Sequence, residues 1–270
     1  MPEGHILHRL ASEINATVGG VAVSSSSPQG RFTAASGLNN LTVGHAWARG
    51  KHLFVPFNEI DHQVHVHLGL YGAFTLTAAN DVPVTGQVRW RVESPGHTID
   101  LRGPSRCELI EPSAIDAIVA RLGPDPLDPD AQPELAWQRI NRSSQPIAHL
   151  LMEQHIISGV GNVYRAEVLF RQKIDPFLPG SALSKSDFEA VWADLVELMA
   201  YGKLHGRIDT VRPEHEPEAM GREPRDDDHG GEVYVYRRQH QPCLVCEKPV
   251  KNKVLAARNL FWCQECQTAD

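Results

Sequence analysis

The sequence begins Met-Pro-Glu-Gly, which places an imino acid and a carboxylic acid side by side at the amino terminus. Removal of the initiator methionine would make Pro2 a terminal secondary amine with Glu3 beside it. A terminal amine has a pKa of about 8, roughly two units below that of lysine, so more of it is neutral and nucleophilic at pH 7. Attack of this amine on C1′ of a sugar would give a covalent iminium ion. Proline and glutamate are also typical of the first turn of a helix, so the pair indicates either an active site or a helix start.

Four of the five cysteines form two Cys-x2-Cys pairs, which consist of Cys243, Cys246, Cys263 and Cys266. This spacing is typical of a structural zinc site, in which four thiolates fill a tetrahedral shell and leave no position for water or substrate. Arg258 lies between the pairs, where a zinc-stabilised fold would hold its guanidinium for a phosphate; a surface arginine is the alternative. Cys107 is predicted to be a small buried residue.

Two further stretches indicate contacts with an anion. Lys51 follows a glycine at the start of a predicted strand, so its ammonium could project from a hairpin toward a phosphate or a reacting sugar, or lie in solvent. Residues 159–162, Gly-Val-Gly-Asn, predict a tight turn with main-chain amides exposed at a helix start. The side chain of Asn162 would be an additional donor. A plain turn between two helices is the alternative.

The 270-residue chain is 41% hydrophobic and 22% charged, enough for a large core and more than one domain. It has no run of eighteen apolar residues and no basic-then-apolar amino terminus, so we expect no membrane span and a cytoplasmic location. A net charge of −7 first argues against a nucleic acid partner. Residues 214–232 alone carry eight acidic residues and two arginines, however, whereas residues 233–270 carry six basic and three acidic residues. A local basic surface is therefore compatible with the composition.

Hydrophobic spacing predicts the elements of the first half of the chain. Apolar residues three or four apart predict a helix over residues 3–18, ended by two glycines. Alternating apolar residues predict strands near residues 53–57, 64–68, 88–92 and 107–110. Residues 1–122 should therefore form a mainly antiparallel β-sandwich with an N-terminal helix. His62, His65 and His67 are interpreted as a polar face of one strand.

The second half of the chain has a helical pattern. Four prolines make residues 123–133 a predicted linker, and helices are expected over residues 133–141, 146–157, 162–171 and 184–199. The predicted helical domain covers residues 134–232, and the cysteine hairpin covers residues 233–270. Two Ser-x-x-Asp sequences, at 113–116 and 184–187, predict helix capping. The acidic loop at 205–231 lacks a core-forming pattern and is predicted to be mobile without a partner.

Four motifs, taken in order, resemble the formamidopyrimidine-DNA glycosylase and endonuclease eight family. They are the Met-Pro-Glu-Gly start, the Gly-Lys hairpin, Gly-Val-Gly-Asn-Val-Tyr-Arg-Ala-Glu at 159–167, and the closing Arg-x4-Cys-x2-Cys. The similarity spans nearly the whole chain. The resemblance implies an α+β fold with an N-terminal antiparallel β-sandwich, a helix-two-turn-helix DNA-binding domain and a C-terminal zinc β-hairpin. It also implies one structural zinc per chain.

For the chemistry, the resemblance implies that Pro2 is the nucleophile, that Glu3 protonates the opening sugar and that Lys51 lies near the reacting nucleotide. The expected protein is a bifunctional DNA glycosylase and abasic-site lyase of base excision repair, which removes oxidised bases through an iminium ion and β,δ-elimination. The Met-Pro-Glu-Gly start favours the endonuclease eight branch and oxidised pyrimidines. An oxidised-purine glycosylase of the same family and a catalytically silent damaged-DNA-binding zinc protein are the alternatives. We expect a monomer in a prokaryotic cytoplasm, associated with the nucleoid through DNA that contains oxidised bases or abasic sites.

For DNA binding, the resemblance implies that Asn162 and Arg258 grip phosphates beside the lesion, and that Leu70 and Tyr71 fill the gap left by an extruded base. Endonuclease eight relatives often carry Gln-Leu-Tyr where this chain has Gly-Leu-Tyr at 69–71. The missing polar side chain predicts a relative preference for unpaired substrates, because unpaired bases cost least to extrude. The alternative is that Gly69 only permits a tight turn, while the loop at 102–106 supplies the missing contact.

Overall fold

The computed structural model describes residues 2–226 and 231–268, and the chain divides into two compact units between Arg121 and Leu122. Asp227 and Asp228, which belong to the predicted acidic loop, lie outside the described residues. Within the described part of the chain, no helix has both the length and the apolar character needed to cross a membrane.

Unit 1 contains an N-terminal helix, two antiparallel sheets and a second helix. Its elements are α1 (Gly4–Val18), β1 (Ser24–Ser26), a 3-10 helix (Thr33–Leu38), β2 (Trp47–Arg49), β3 (His52–Phe57), β4 (Ile60–His67), β5 (Ala73–Thr77), β6 (Val88–Ser94), β7 (His97–Arg102), β8 (Arg106–Ile110) and α2 (Pro112–Val119). The strand orders are β1-β6-β7-β5 in one sheet and β2-β3-β4-β8 in the other. Residues from both sheets and from α1 form one buried cluster. The predicted antiparallel β-sandwich with its N-terminal helix is confirmed.

Helix α1 forms because its apolar residues recur on one face, which packs against β2 and β3. The buried residues of this face include Leu7, Leu10, Ile14 and Val18. The side chain of Asn15 joins the helix to the strand: Nδ2 donates to the oxygen of Ala46 at 2.8 Å, and Oδ1 accepts from the nitrogen of Ala46 at 2.7 Å. The helix ends as predicted, because Gly20 has a φ of 75°, which favours glycine. Through Asn15, the carboxyl end of the helix is attached to the residue that precedes β2.

One helix of unit 1 starts differently from its prediction. The sequence at 113–116 predicted a capping serine, but α2 begins at Pro112 and the hydroxyl of Ser113 donates to the carboxylate of Glu111 at 2.8 Å. Proline fits the first turn of a helix because it has no N–H to satisfy there. The helix thus starts on a proline rather than on a serine cap.

Unit 2 contains five α-helices and one β-hairpin within the described residues. Its elements are α3 (Pro133–Ile140), α4 (Ile147–Leu150), α5 (Asn162–Arg171), a 3-10 helix (Gly180–Ala182), α6 (Lys185–His205), a 3-10 helix (Pro213–His215), α7 (Pro217–Met220), β9 (Lys251–Leu255) and β10 (Arg258–Trp262). The predicted cap of α6 is present, since the hydroxyl of Ser184 accepts from the nitrogen of Asp187 at 3.1 Å. This helix continues past the predicted end to Gly206, which has a φ of 74°.

The predicted helix over residues 146–157 is wrong beyond Leu150. Residues after this single helical turn form further turns because the side chain of Gln154 binds their main chain. Its Oε1 accepts from the nitrogen of Gly159 at 3.0 Å, and its Nε2 donates to the oxygens of Met152 and Val160, both at 2.9 Å. The glutamine therefore fixes the turn that leads into α5.

The cysteine hairpin shares its hydrophobic core with the helices. Val250, Leu260 and Phe261 belong to the same buried cluster as residues of α5 and α6. The segments predicted as a helical domain (134–232) and a hairpin domain (233–270) therefore form one compact unit. Between them, the acidic stretch contains the two short helices at 213–220, and Arg222 pairs with Glu232 at 2.6 Å.

Candidate functional site

The amine and the acid predicted from the first residues lie at the start of α1. Pro2 is partly exposed and Glu3 is completely buried, with its main-chain oxygen accepting from the nitrogen of Ile6 at 3.0 Å. His5 is also buried, and burial lowers its pKa to about 3, so its ring is neutral at pH 7. A buried carboxyl next to a surface-accessible proline is an arrangement suited to proton transfer beside an amine nucleophile.

Lys51 occupies the two-residue turn between β2 and β3. Arg49 and His52 pair across the turn, and Gly50 has a φ of 56°, which favours glycine in this hairpin. Burial, together with His65, Lys51 and Arg106, lowers the pKa of His67, which pairs with His52 across β3 and β4. The predicted hairpin lysine is therefore presented at the end of the sheet, with imidazoles next to it.

The interpretation of the strand histidines as a polar face is wrong for His65, which is 1% exposed. Its Nδ1 lies 3.1 Å from Oε1 of Glu108, and its Nε2 lies 2.9 Å from Nδ1 of His52. His67 instead binds the hydroxyl of Ser105 at 2.8 Å. The ring of His65 is thus part of a buried cross-strand network, which the alternation of histidines with valines did not reveal.

Leu70 and Tyr71 lie on a tight turn after β4 and are 53% and 86% exposed. The turn is closed by a hydrogen bond of 3.0 Å from the nitrogen of Gly72 to the oxygen of Leu68. Gly69 has a φ of 69°, and a Cβ at this position would lie 2.9 Å from Cβ of Ser105. The turn therefore favours glycine at position 69, and the side chains of Leu70 and Tyr71 are exposed beside it.

Asn162 is the first residue of α5 and is largely buried. Its Nδ2 donates to the oxygen of Asn259 at 2.9 Å, and its Oδ1 accepts from Arg165. Arg165 donates to the oxygen of Asn259 as well, at 3.1 Å. The predicted phosphate turn is consequently tied to strand β10, and one hydrogen of the Asn162 amide is already used inside the protein.

Arg258 is exposed at the start of β10, directly after a two-residue turn. Ala256 and Ala257 form this turn with φ values of 48° and 60°. Such values are unfavourable for alanine and persist only where the surroundings impose them. The turn and the hydrogen bond from Asn162 to Asn259 together fix the main-chain position of Arg258.

A buried carboxylate that the sequence analysis missed attaches α5 to the segment before the cysteines. Glu167 is fully buried and accepts from the hydroxyl of Thr210 at 2.6 Å. It also accepts three main-chain N–H bonds of 2.7 to 2.9 Å from consecutive residues, Tyr234, Val235 and Tyr236. An acidic residue inside an otherwise apolar stretch of α5 is the sequence signal that could have indicated this role.

The four predicted cysteine ligands come together, with all four Sγ atoms within 4.8 Å of one another. The Sγ atoms of Cys243 and Cys266 are 3.9 Å apart, and those of Cys246 and Cys263 are 3.4 Å apart. Sulfurs bound to one zinc at about 2.3 Å in a tetrahedron would be roughly 3.8 Å apart. Burial raises the pKa of Cys263 to about 11, with neighbouring cysteines adding to the effect. Four thiolates in this space therefore need a metal cation, and the cluster fits one.

The candidate residues are distributed between the two units. Pro2, Glu3, Lys51, Leu70 and Tyr71 belong to unit 1, while Asn162, Arg258 and the four cysteines belong to unit 2. Two family models match the same halves of the chain. The formamidopyrimidine-DNA glycosylase N-terminal domain matches residues 1–107, and the formamidopyrimidine-DNA glycosylase H2TH domain matches residues 122–210.

Similar proteins cover almost the whole chain. Endonuclease 8 1 of Mycobacterium tuberculosis is 49% identical over 276 residues, 99% of this chain and 100% of that protein. Endonuclease 8 of Escherichia coli is 26% identical over 280 residues, with 99% and 100% coverage.

Solved structures support the same fold. The complex of Lactococcus lactis Fpg with DNA containing an abasic site gives a TM-score of 0.80 at 20% identity, over 99% of this chain and 100% of that one. The MutM (Fpg) protein from Thermus thermophilus gives 0.77 at 24% identity, over 98% of each chain. With the cysteine cluster and the 49% identical relative, these matches identify the chain as a member of the formamidopyrimidine-DNA glycosylase and endonuclease 8 family of DNA glycosylases.

Proposed function

We propose that the protein is a bifunctional DNA glycosylase and abasic-site lyase that removes oxidised bases, preferentially oxidised pyrimidines. The observation that carries the proposal is the pairing of Pro2 with the fully buried Glu3 at the start of α1. A catalytically silent binder would need the exposed and phosphate-binding residues but not a terminal amine beside a buried acid. The arrangement therefore supports an enzyme over a protein that only recognises damage.

In the proposed reaction, the damaged nucleotide is first extruded from the helix. The neutral nitrogen of Pro2 then attacks C1′ as the bond to the base breaks, and Glu3 gives a proton to the sugar ring oxygen as the ring opens. The product is an iminium ion between Pro2 and the opened sugar. Loss of a proton from C2′ expels the 3′ phosphate, and a second elimination expels the 5′ phosphate. Water finally releases the sugar fragment and regenerates the amine.

Lys51 is proposed to lie near Pro2 and to contact the reacting nucleotide. Asn15 and Ala46 are hydrogen-bonded to each other. The distance along α1 from Asn15 back to Glu3 and the distance along β2 from Ala46 forward to Lys51 are both roughly 17 Å. Helix α1 packs against β2. The matching lengths support a position of the hairpin turn beside the helix start, where an ammonium would stabilise negative charge that develops on the sugar or its phosphates.

The exposed residues of unit 1 are proposed to stabilise DNA from which the nucleotide has been extruded. Leu70 would occupy the vacated space, and Tyr71 would stack against a neighbouring base; such stacking is worth about 1–3 kcal/mol per base. The two side chains are adjacent on one turn and are 53% and 86% exposed, so both are accessible to a partner. This observation supports a role in DNA binding rather than in folding.

Unit 2 is proposed to bind the phosphates and to hold one zinc ion. Amides at the start of α5 and the guanidinium of Arg258 offer donors to phosphate oxygens. Zinc would be held by the four cysteines and would stabilise the hairpin that carries Arg258, without taking part in the reaction. The proposal is in keeping with the solved complex of Lactococcus lactis Fpg with DNA that contains an abasic site.

The preference for oxidised pyrimidines rests on the Met-Pro-Glu-Gly start and on the 49% identical relative named Endonuclease 8 1. Oxidised purines are the second candidate, since one similar structure is MutM in complex with DNA that contains carbocyclic 8-oxo-G. Release of thymine glycol and of 8-oxoguanine from matched duplexes separates the two candidates. Faster release of thymine glycol is the expected result, and faster release of 8-oxoguanine would reverse the assignment.

Replacing Glu3 tests the proposed chemistry. An abasic sugar already equilibrates with its open aldehyde, so it needs no acid to open the ring. Glu3→Gln should therefore lower base release by about 100-fold or more, in the range of one acid-base catalyst, and affect cleavage of a preformed abasic site much less. Glu13→Gln, on the exposed side of the same helix, is the control. Equal losses in both assays would contradict the proposed role of Glu3.

A further inference from the structure

Three side chains form a hydrogen-bonded chain across neighbouring strands of unit 1. His52 lies on β3, His65 on β4 and Glu108 on β8. Nδ1 of His52 is 2.9 Å from Nε2 of His65, and Nδ1 of His65 is 3.1 Å from Oε1 of Glu108. The chain begins at the residue that directly follows Lys51 and ends at a carboxylate that is 42% exposed. We call it the Glu108–His65–His52 chain.

The donors in this chain follow from the carboxylate at its end. A carboxylate only accepts hydrogen bonds, so Nδ1 of His65 must carry the hydrogen. In a neutral ring the other nitrogen, Nε2, then has the lone pair and accepts from Nδ1 of His52. His52 is left with its hydrogen on Nδ1 and a lone pair on Nε2. One carboxylate therefore fixes the tautomers of two imidazoles.

Burial and the charges around His52 keep its ring neutral. Burial, together with His65 and His67 of β4, Arg121 after α2 and Arg106 of β8, lowers its pKa to about 3. The ring centroids of His52 and His67 are 5.1 Å apart, and the positive charge of Lys51 lowers the pKa of His67. The counter-charge in this group is Glu108, which lies 3.5 Å from Arg106. A proton added to the rings would meet positive charge from several elements, so they bind as neutral donors and acceptors.

We propose that Glu108, acting through His65, holds His52 as its Nδ1–H tautomer and thereby fixes the Lys51 hairpin for catalysis. The inference rests on the function proposed above for Lys51. His52 is the residue that closes the two-residue turn, since it pairs with Arg49. Anchoring its ring to the next strand restricts the end of the hairpin before substrate binds. A group that is already oriented loses less entropy on reaching the transition state, so the activation barrier is lower. Glu108 and His65 are positioning residues, because neither needs to contact the DNA.

The test compares two replacements of Glu108 in the full-length protein. Glu108→Gln keeps an oxygen that accepts from His65, whereas Glu108→Ala removes it and frees both rings to adopt the opposite tautomer. Ring ¹⁵N shifts of the DNA-free protein should show His52 as Nδ1–H in the unmodified protein and in Glu108→Gln, and substantial Nε2–H in Glu108→Ala. Cleavage of an abasic-site duplex should show kcat about tenfold lower in Glu108→Ala, with KM within about twofold. Asp61→Asn, at an exposed position of β4, should change neither reading.

Each outcome decides the proposal. An unchanged tautomer of His52 in Glu108→Ala would overturn it, whatever the activity. A changed tautomer with unchanged kcat would overturn the link to the hairpin. If Glu108→Ala does not fold, His65→Phe replaces it, because a phenyl ring fits beside Phe54, which stacks on His65 at 5.2 Å. If the unmodified protein does not cleave an abasic site, the proposed function and the link to the hairpin are both refuted. The ¹⁵N shifts would still decide whether Glu108 holds His52 as its Nδ1–H tautomer.

Discussion

The side chain of Asn162 donates a hydrogen bond of 2.9 Å to the main-chain oxygen of Asn259, and so joins the start of α5 to strand β10. Asn259 directly follows Arg258, so the two predicted phosphate-binding features of unit 2 share one support. Arg165 donates to both partners and completes the connection. Loss of this bond should therefore disturb the phosphate turn and the hairpin together.

Two replacements of Asn162 separate binding from folding. Asn162→Ala leaves the buried guanidinium of Arg165 with one acceptor fewer, which should cost about 1–3 kcal/mol of unfolding free energy. Asn162→Asp keeps that acceptor but removes the Nδ2 donor and adds a negative charge. Both should weaken binding of an abasic-site duplex by about tenfold or more, and both lose the bond to Asn259, but the loss of stability should be larger in Asn162→Ala. Unchanged DNA affinity in Asn162→Asp, by fluorescence anisotropy, would contradict the proposed role of the amide.

Arg258 is expected to contribute one phosphate contact without affecting the metal. Arg258→Ala should retain one zinc per chain and lower the slope of log K against log salt by about one, because one fewer counterion is released. Arg258→Lys keeps the charge and should retain the slope while weakening the affinity. Cys243→Ser should lose both zinc and DNA binding. An unchanged slope in Arg258→Ala would show that this residue is a surface arginine without a phosphate contact.

The turn at Gly69 constrains how the preference for unpaired DNA is tested. Gly69→Gln puts a side chain at a φ of 69° and a Cβ within 2.9 Å of Ser105, so we expect it to lower stability by about 1 kcal/mol or more. Ser105→Gly removes the contact at the cost of its own bonds to His67, so Gly69→Gln should lower stability less in the Ser105→Gly background than in the unmodified protein, as thermal unfolding would report. Equal stability of Gly69→Gln and the unmodified protein would show that the turn tolerates a side chain.

The substrate preference itself is measured on the unmodified protein. One oxidised pyrimidine placed in duplex, bubble and single-stranded oligonucleotides should be cleaved relatively better where no partner base is present. The opposite base should matter little, because no polar side chain at position 69 reaches it. A strong duplex preference with strong dependence on the opposite base would contradict this prediction.

Unit 1 should lose stability in mild acid. The folded-state pKa values of His5 and His52 are about 3, below the usual 6.5, so the unfolded chain binds more protons between these values. The stabilisation is complete above pH 6.5 and is lost progressively as the pH falls toward 3. At pH 5 the loss is at most about 2 kcal/mol per histidine. Urea unfolding between pH 7.5 and 5 should show this loss, and His5→Phe should reduce it; a flat profile would contradict the shifts.

The sequence predicted those parts of the fold that depend on local periodicity. The stripe of α1 predicted the helix because one of its faces is buried. The alternation of apolar residues predicted β3 and β4, although both strands are buried on both faces over part of their length. The turns after Leu150 were missed because they depend on Gln154, whose side chain binds main-chain groups that only the folded chain brings together. The four cysteines were predictable because their spacing alone defines a metal site.

The missed functional residues depend on contacts between distant strands or helices. His65 is paired with a residue more than forty positions away, and Glu167 binds a segment almost seventy positions away. No spacing rule connects such positions. The residues themselves left two interpretations each for Pro2, Asn162 and Arg258, and only the resemblance of the motifs taken together favoured one of them.

Covalent capture of the iminium intermediate tests whether Pro2 is the nucleophile. The protein is incubated with a duplex that carries one abasic site in the presence of borohydride, which reduces an iminium ion to a stable amine, and the adduct is located by peptide mapping. Pro2→Gly does not serve as a negative control, since glycine also provides a terminal amine. If Pro2 is the nucleophile, we expect one adduct per chain, on the nitrogen of Pro2. An adduct on a lysine such as Lys51, or the absence of an adduct from protein that still binds the DNA, would contradict the assignment of Pro2 as the nucleophile.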